Sequence, residues 1–208
     1  MIEAPALPVL PPLLDMAGTA VFALSGALVA ARLRQTLVTM AFFALLTGVG
    51  GGTLRDLLIG APPFWLHNHS IAAVVLAAAL LAWFTPRRWW EGQVLEWMDA
   101  AGLATFATLG TAKALAFGVA PLPAMILGVV AGCAGGILRD IIAGLPSILM
   151  RPELYVTAAA LSAAVAALGL SLNFPQLIVM IVAASCGFAL RGAALVWRIE
   201  LPGYSRDS

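Results

Sequence analysis

Charge is scarce in this chain: Asp, Glu, Lys and Arg supply 10% of the residues, against 62% hydrophobic residues and a mean hydropathy of +1.00. No soluble core could hide that much apolar surface, so an ordinary soluble domain is excluded. The formal net charge of +1 gives no whole-molecule field that would attract nucleic acid or an acidic partner. Histidine is confined to His67 and His69. Their H-x-H spacing falls on a loop between apolar runs and reads as solvated rather than metal-binding. With no nucleophile beside a base and no metal cluster, the chain lacks the parts of a membrane enzyme. It also lacks a glycine-rich phosphate cradle followed by Lys and Ser/Thr, which excludes an ATP-driven subunit. The two cysteines, Cys133 and Cys186, lie inside apolar runs, where a thiol behaves as a small hydrophobe and no disulfide is expected. No basic segment precedes the first apolar run, which follows Met1, Ile2, Glu3 and several prolines, so that run reads as a retained span.

What is present is a series of apolar stretches. A span needs about 20 residues to cross roughly 30 Å of hydrocarbon. Cutting the chain at charge, proline and glycine clusters leaves seven pieces, at 12–31, 36–60, 69–85, 97–116, 121–144, 154–172 and 175–196. The expected fold is therefore all-α and integral to the membrane, one domain over 1–208, with the tail from Glu200 to Ser208 too short for a second. Alternating the loops between the two faces puts Arg32, Arg34, Arg87, Arg88, Arg139, Arg151, Arg191, Arg198 and Arg206 toward one side, with Arg55 and Lys113 toward the other. The positive-inside rule then predicts an external N-terminus and a cytoplasmic C-terminus in the cell's inner (plasma) membrane. Trp65, Trp83, Trp89, Trp90, Trp97 and Trp197 fall mostly near span ends and read as interface anchors.

The most specific signal is an internal repeat. At a shift of 84 residues (99 − 15), Asp15-Met-Ala-Gly-Thr-Ala-Val-Phe lies over Asp99-Ala-Ala-Gly-Leu-Ala-Thr-Phe, and Gly26 over Gly110. Without a gap, Gly51-Gly52-Thr53-Leu54-Arg55-Asp56 then lies over Gly135-Gly136-Ile137-Leu138-Arg139-Asp140, and 8 of 15 positions from 48 to 62 are identical. Each copy holds three spans, about 12–85 and 97–172, with the seventh helix at 175–196 left over. An odd number of spans makes the second copy enter from the opposite face, so the halves are expected to be inverted repeats. Such repeats recur in transport proteins, where interrupted helices at matching positions point to the translocation site.

Those matching helices are the second and fifth. Gly48, Gly50, Gly51 and Gly52 in one, and Gly132, Gly135 and Gly136 in the other, each lower helix propensity by about 1 kcal/mol relative to Ala. They are expected to break their helices and leave carbonyls free to coordinate a cation, although small residues also serve close helix packing. The charges beside them need partners at membrane depth. Asp15 is assigned to Arg55, and Asp99 to Arg139. Asp56 and Asp140 stay unassigned, because neighbours at i and i+1 point about 100° apart on a helix. Purely structural ion pairs would fit the same pattern. Thr47, Thr105, Thr108 and Thr111 are candidate pore-facing hydroxyls, and Lys113 either joins them or snorkels to the surface.

The doubled Gly-Gly-x-Leu-Arg-Asp motif, the Asp-x-x-Gly helix starts and the three-plus-three-plus-one arrangement resemble the prokaryotic trimeric intracellular cation (TRIC) channels over about residues 12–197. The resemblance implies a homotrimer among membrane lipids. Each protomer would hold its own pore, lined by kinked second and fifth helices and permeable to potassium and other monovalent cations. It carries the glycine breaks onto Gly50, Gly51 and Gly52 and onto Gly135 and Gly136; the charges read beside them, Arg55, Asp56, Arg139, Asp140 and Lys113, are then the expected pore or gate residues. Ala134 stands where a second triple glycine would need Gly, so the two kinks need not be equivalent. Some bacterial relatives are linked to glycine uptake, which keeps a secondary transporter of a small solute as the rival.

The arginine asymmetry generates the first prediction. In intact cells carrying single cysteines at Ser70 or Arg88, an impermeant thiol reagent should label the first and spare the second. The reverse pattern would invert the topology.

Overall fold

A computed structural model describes residues 10–66 and 68–202; the sequence expectations attached to Met1–Glu3, His67 and Arg206 lie outside them. Among the described residues the chain forms seven α-helices: α1 (Leu10–Arg32), α2 (Leu37–Leu58), α3 (His69–Phe84), α4 (Val94–Ala116), α5 (Pro121–Ile142), α6 (Val156–Ser171) and α7 (Gln176–Trp197). Their starts are locally encoded. Thr36 caps α2, its hydroxyl accepting from the Thr39 N–H at 3.3 Å, and Asn68 caps α3 through Ser70 N–H at 3.0 Å. Pro121 opens α5, where its missing N–H is no loss. α2 and α5 stop two residues before the expected limits of 60 and 144 because Gly60 and Gly144 take φ values of +71° and +65°.

α1, α2, α5 and α7 are long and apolar enough to cross a bilayer, and the molecule is a multi-pass membrane protein. α3 and α6 are apolar but 16 residues each, roughly 24 Å at a rise of about 1.5 Å per residue. α4 is long and carries Glu96, Asp99 and Lys113.

The helix limits obey the sequence repeat. α4 begins and ends 84 residues after α1 (94 − 10, 116 − 32), and α5 begins and ends 84 after α2 (121 − 37, 142 − 58). α6 begins 87 after α3 (156 − 69), so the second copy holds three extra residues before its third helix. Near its start, α1 brings Asp15 to the end of α2, and α4 reaches the same place with Lys113 near its own end. Conversely Asp99, early in α4, and Ser25, late in α1, meet at the end of α5. Equivalent helices therefore run antiparallel.

At the centre α2 and α5 cross in direct backbone contact. A Cβ added to Gly51 would sit 2.0 Å from the Ala131 carbonyl oxygen, and one on Gly135 2.7 Å from that of Thr47. Gly26 and Gly110 do the same for α1 against α2 and α4 against α5, meeting the Phe43 carbonyl at 2.5 Å and Gly128 Cα at 2.9 Å. This corrects the expectation of glycine-broken helices: α2 and α5 are each continuous through their glycines. The propensity cost of about 1 kcal/mol per glycine is outweighed by close approach of backbones, the usual reason for small residues between membrane helices.

Gly51→Ala or Gly135→Ala should therefore lower stability by roughly 1–3 kcal/mol through overpacking, read as a lower unfolding midpoint in detergent. Gly50→Ala should stay near the parent, because its new methyl meets only the flexible end of Leu138, at 2.6 Å. Equal tolerance at all three positions would show that the helices are not locked at this crossing.

Candidate functional site

Two clusters of buried charge stand at opposite ends of the α2–α5 pair. In the first, Arg55 in the last turn of α2 is fully buried, with Nε donating to Asp56 Oδ1 at 2.7 Å and Nη1 to Asp15 Oδ1 at 3.3 Å. Asp56 Oδ1 also accepts from Lys113 Nζ at 2.8 Å, while Oδ2 accepts from the Phe64 backbone N–H at 2.8 Å. Two carboxylates thus face two cations. The guanidinium carbon lies 5.7 Å from the centroid of the Phe64 ring, a cation–π geometry.

The second cluster is the first displaced by 84 residues. Arg139 Nε donates to Asp140 Oδ1 at 2.9 Å, Nη1 to Asp99 Oδ1 at 2.6 Å and to Ser25 Oγ at 3.3 Å, and Asp140 Oδ2 accepts from Ile148 N–H at 2.8 Å. The partner of Asp140 is eight residues on, as Phe64 is from Asp56. Here two carboxylates face one guanidinium. The place of Lys113 is taken by Val29 (113 − 84), which lines a cavity of about 250 Å³ together with Asp99, Arg139 and Asp140.

The structure thus sets Asp15 beside Arg55 and Asp99 beside Arg139. It corrects the reading that adjacent Arg and Asp residues stay apart: the long guanidinium stem bends across the 100° offset, and both pairs bond through Nε. Lys113 neither snorkels nor stands free, because Asp56 holds it.

Between the clusters two aromatic rings meet in the interior. Phe22 and Phe106, equivalent by the repeat (106 − 22 = 84), stack with centroids 5.5 Å apart and planes 16° from parallel. Both are fully buried, and Phe22 packs against the face of Gly135 while Phe106 packs against Gly52. The hydroxyls of Thr19, Thr47 and Thr108 are buried with no hydrogen-bond partner among the described residues. Thr105 and Thr111 instead donate back to their own helix, to the Ala101 and Ala107 carbonyls at 2.8 and 2.9 Å.

Sequence reasoning gave no role to a third buried arginine. Arg191 on α7 is 1% exposed, donates to Glu153 Oε2 and lies 5.4 Å from the centroid of the Tyr155 ring. Tyr155 and Glu153 sit in the longer loop of the second copy, which pairs with the segment after α7 through Glu153 and Glu200. An arginine inside an apolar run was the available signal. Trp97 also takes part in helix packing: its ring lies tilted by 55° against Phe188, with centroids 5.5 Å apart, and fills the notch at Gly192. His69 is exposed at the start of α3.

A family model described as "Glycine transporter" matches residues 12–87 and again 96–171, one match per repeat. The UPF0126 membrane protein of Vibrio cholerae is 35% identical over 199 residues, 93% of this chain and 82% of that one. The UPF0126 inner membrane protein YadS of Escherichia coli K12 is 33% identical over 204 residues, 93% of this chain and 96% of that one. Among solved structures, the TRIC trimeric intracellular cation channel orthologue from Rhodobacter sphaeroides superposes with a TM-score of 0.84 at 34% identity, covering 92% of this chain and 100% of that one.

The buried pairs yield a direct test. Asp15→Asn or Arg55→Gln alone should destabilise by about 3 kcal/mol or more, because each leaves an uncompensated buried charge, whereas the two together leave Asp56 paired with Lys113. The double variant should recover a large part of that loss. Strictly additive unfolding midpoints would mean that the two side chains do not interact.

Proposed function

The chain belongs to the prokaryotic TRIC channel family, with the family model described as "Glycine transporter" matching both of its repeats, and on that premise we propose that it is a monovalent cation channel with a passage inside each protomer. One observation carries the proposal. Two clusters of paired charge, equivalent by the repeat, lie at opposite ends of a single antiparallel pair of helices, with buried unpartnered hydroxyls between them. Ionisable side chains at membrane depth mark ion pathways, and carboxylates offset the arginines that would otherwise repel a cation. Threonine hydroxyls such as those of Thr47 and Thr108 suit a weakly held, partly hydrated ion.

In this reading Asp15, Arg55, Asp56 and Lys113 form the external mouth, and Asp99, Arg139 and Asp140 the cytoplasmic one. Orientation follows the arginine asymmetry, with the N-terminus outside. The stacked Phe22 and Phe106 and the crossing of Gly51 with Gly135 form the barrier between the mouths, so conduction requires these to part. Potassium is the permeant ion we favour, and a homotrimer in the inner membrane is the assembly; the Rhodobacter sphaeroides protein is named a trimeric channel and the Escherichia coli relative an inner membrane protein.

A second reading is kept because the family model bears the description of a glycine transporter. Two mouths closed from each other by a central barrier also suit alternating access, in which one inverted half rocks against the other. Purified protein in planar bilayers should give discrete single-channel steps that reverse at the potassium equilibrium potential without a coupling ion. Silent bilayers, with saturable and ion-coupled glycine uptake into liposomes, would replace the channel by the carrier.

A further inference from the structure

The two clusters share one arginine held between two aspartates but differ in what completes the charge balance, and that difference defines a binding site. At the first, Lys113 places an ammonium 2.8 Å from Asp56 Oδ1 and completes the charge balance of Asp15, Asp56 and Arg55. At the second, Asp99 and Asp140 face only Arg139, and the residue equivalent to Lys113 is Val29. The side chain that would carry the missing charge is replaced by space: Val29 lines the cavity of about 250 Å³ beside Asp99 and Asp140. Asp99 is 1% exposed, and its Oδ2 makes no hydrogen bond of standard geometry among the described residues; the buried Tyr155 hydroxyl, which meets Asp99 over Gly136, is likewise unpartnered.

We propose that this cavity is a resting site for one monovalent cation, held between Asp99 Oδ2 and Asp140 Oδ1, a dissociable counterpart of the ammonium that Lys113 tethers at the other end. The remaining charges on the cavity wall fit this assignment. Arg32 is turned to the Trp90 and Gly92 carbonyls at 3.3 and 3.4 Å, and Arg151 lies 3.8 Å from Glu153. Glu96, one turn before Asp99 on α4, adds a further carboxylate oxygen, Oε2, that is also unpartnered. With Arg151 paired to Glu153 and Glu96 balancing Arg32 on the wall, the excess left among Asp99, Asp140 and Arg139 is a single negative charge, which one potassium or sodium ion neutralises. A divalent ion would call for more carboxylate charge and six or more oxygen ligands.

The proposal deepens the cation reading above and rests on it for the choice of ion, but its test reads equilibrium binding rather than flux, so the two can fail separately. The thermal midpoint of the purified full-length protein in detergent would be followed while N-methyl-D-glucamine chloride is exchanged for potassium chloride at constant ionic strength. The parent midpoint should rise and saturate with potassium. Asp99→Asn should lose that rise. Val29→Lys, which rebuilds the first cluster's chemistry in the second, should raise the midpoint without potassium and remove its further effect. If Val29→Lys does not fold, Asp99→Asn decides. A parent with no potassium-dependent rise, or an Asp99→Asn protein that keeps it in full, overturns the site. An equal rise at the same concentration of magnesium overturns its monovalent character.

Discussion

An arginine cannot stay charged in an apolar interior unless something opposite in sign travels with it. Arg55 and Arg139 are each buried, and each is wrapped by two carboxylates, one from its own helix and one from the helix before it in the repeat. Because the second carboxylate sits near the start of α1 or α4, neutralising the arginine also fixes the vertical register of α1 against α2 and of α4 against α5. The same aspartates that sit next to the arginines spend their other oxygen on a backbone N–H eight residues on. That bond folds the loop after α2 or α5 back over the cluster. A single electrostatic requirement therefore sets helix register and loop shape, and closes the ends of the helix pair.

Between these ends the structure is held by closeness rather than charge. α2 and α5 touch where Gly51 and Gly135 carry no side chains, and the equivalent Phe22 and Phe106 lie face to face beside that contact. Each contact joins a residue or segment to its own copy. A displacement of one half must therefore be answered by the other, since neither glycine has room to yield and the two rings share one interface.

Much of this was legible in sequence because duplication made the signal redundant. The 84-residue shift, read from Asp15 and Asp99 and the Gly-Gly-x-Leu-Arg-Asp blocks, is the shift between helix limits in the structure. The Asp15–Arg55 and Asp99–Arg139 pairings followed from direction alone. What failed did so for local reasons. Glycine propensity says nothing about the partner backbone that rewards a smooth surface, so breaks were expected where there is contact. A rule about helix faces ignored the reach of a guanidinium stem. Lys113 and Asp56 are 57 residues apart, and no periodicity connects them. Arg191 and Glu153 belong to the parts that were not duplicated, so no internal copy drew attention to them.

Two identical antiparallel halves would show the same chemistry to both sides of a membrane, and such an object would have no sense of direction. The second copy departs from the first by three residues between α5 and α6. That added length brings Glu153 and Tyr155 to Arg191 and ties the end of α7 to one face only. The molecule's front and back are thus told apart by a loop slightly longer than its twin as well as by the exchange of Lys113 for Val29, and whatever vectorial behaviour the protein has must draw on both.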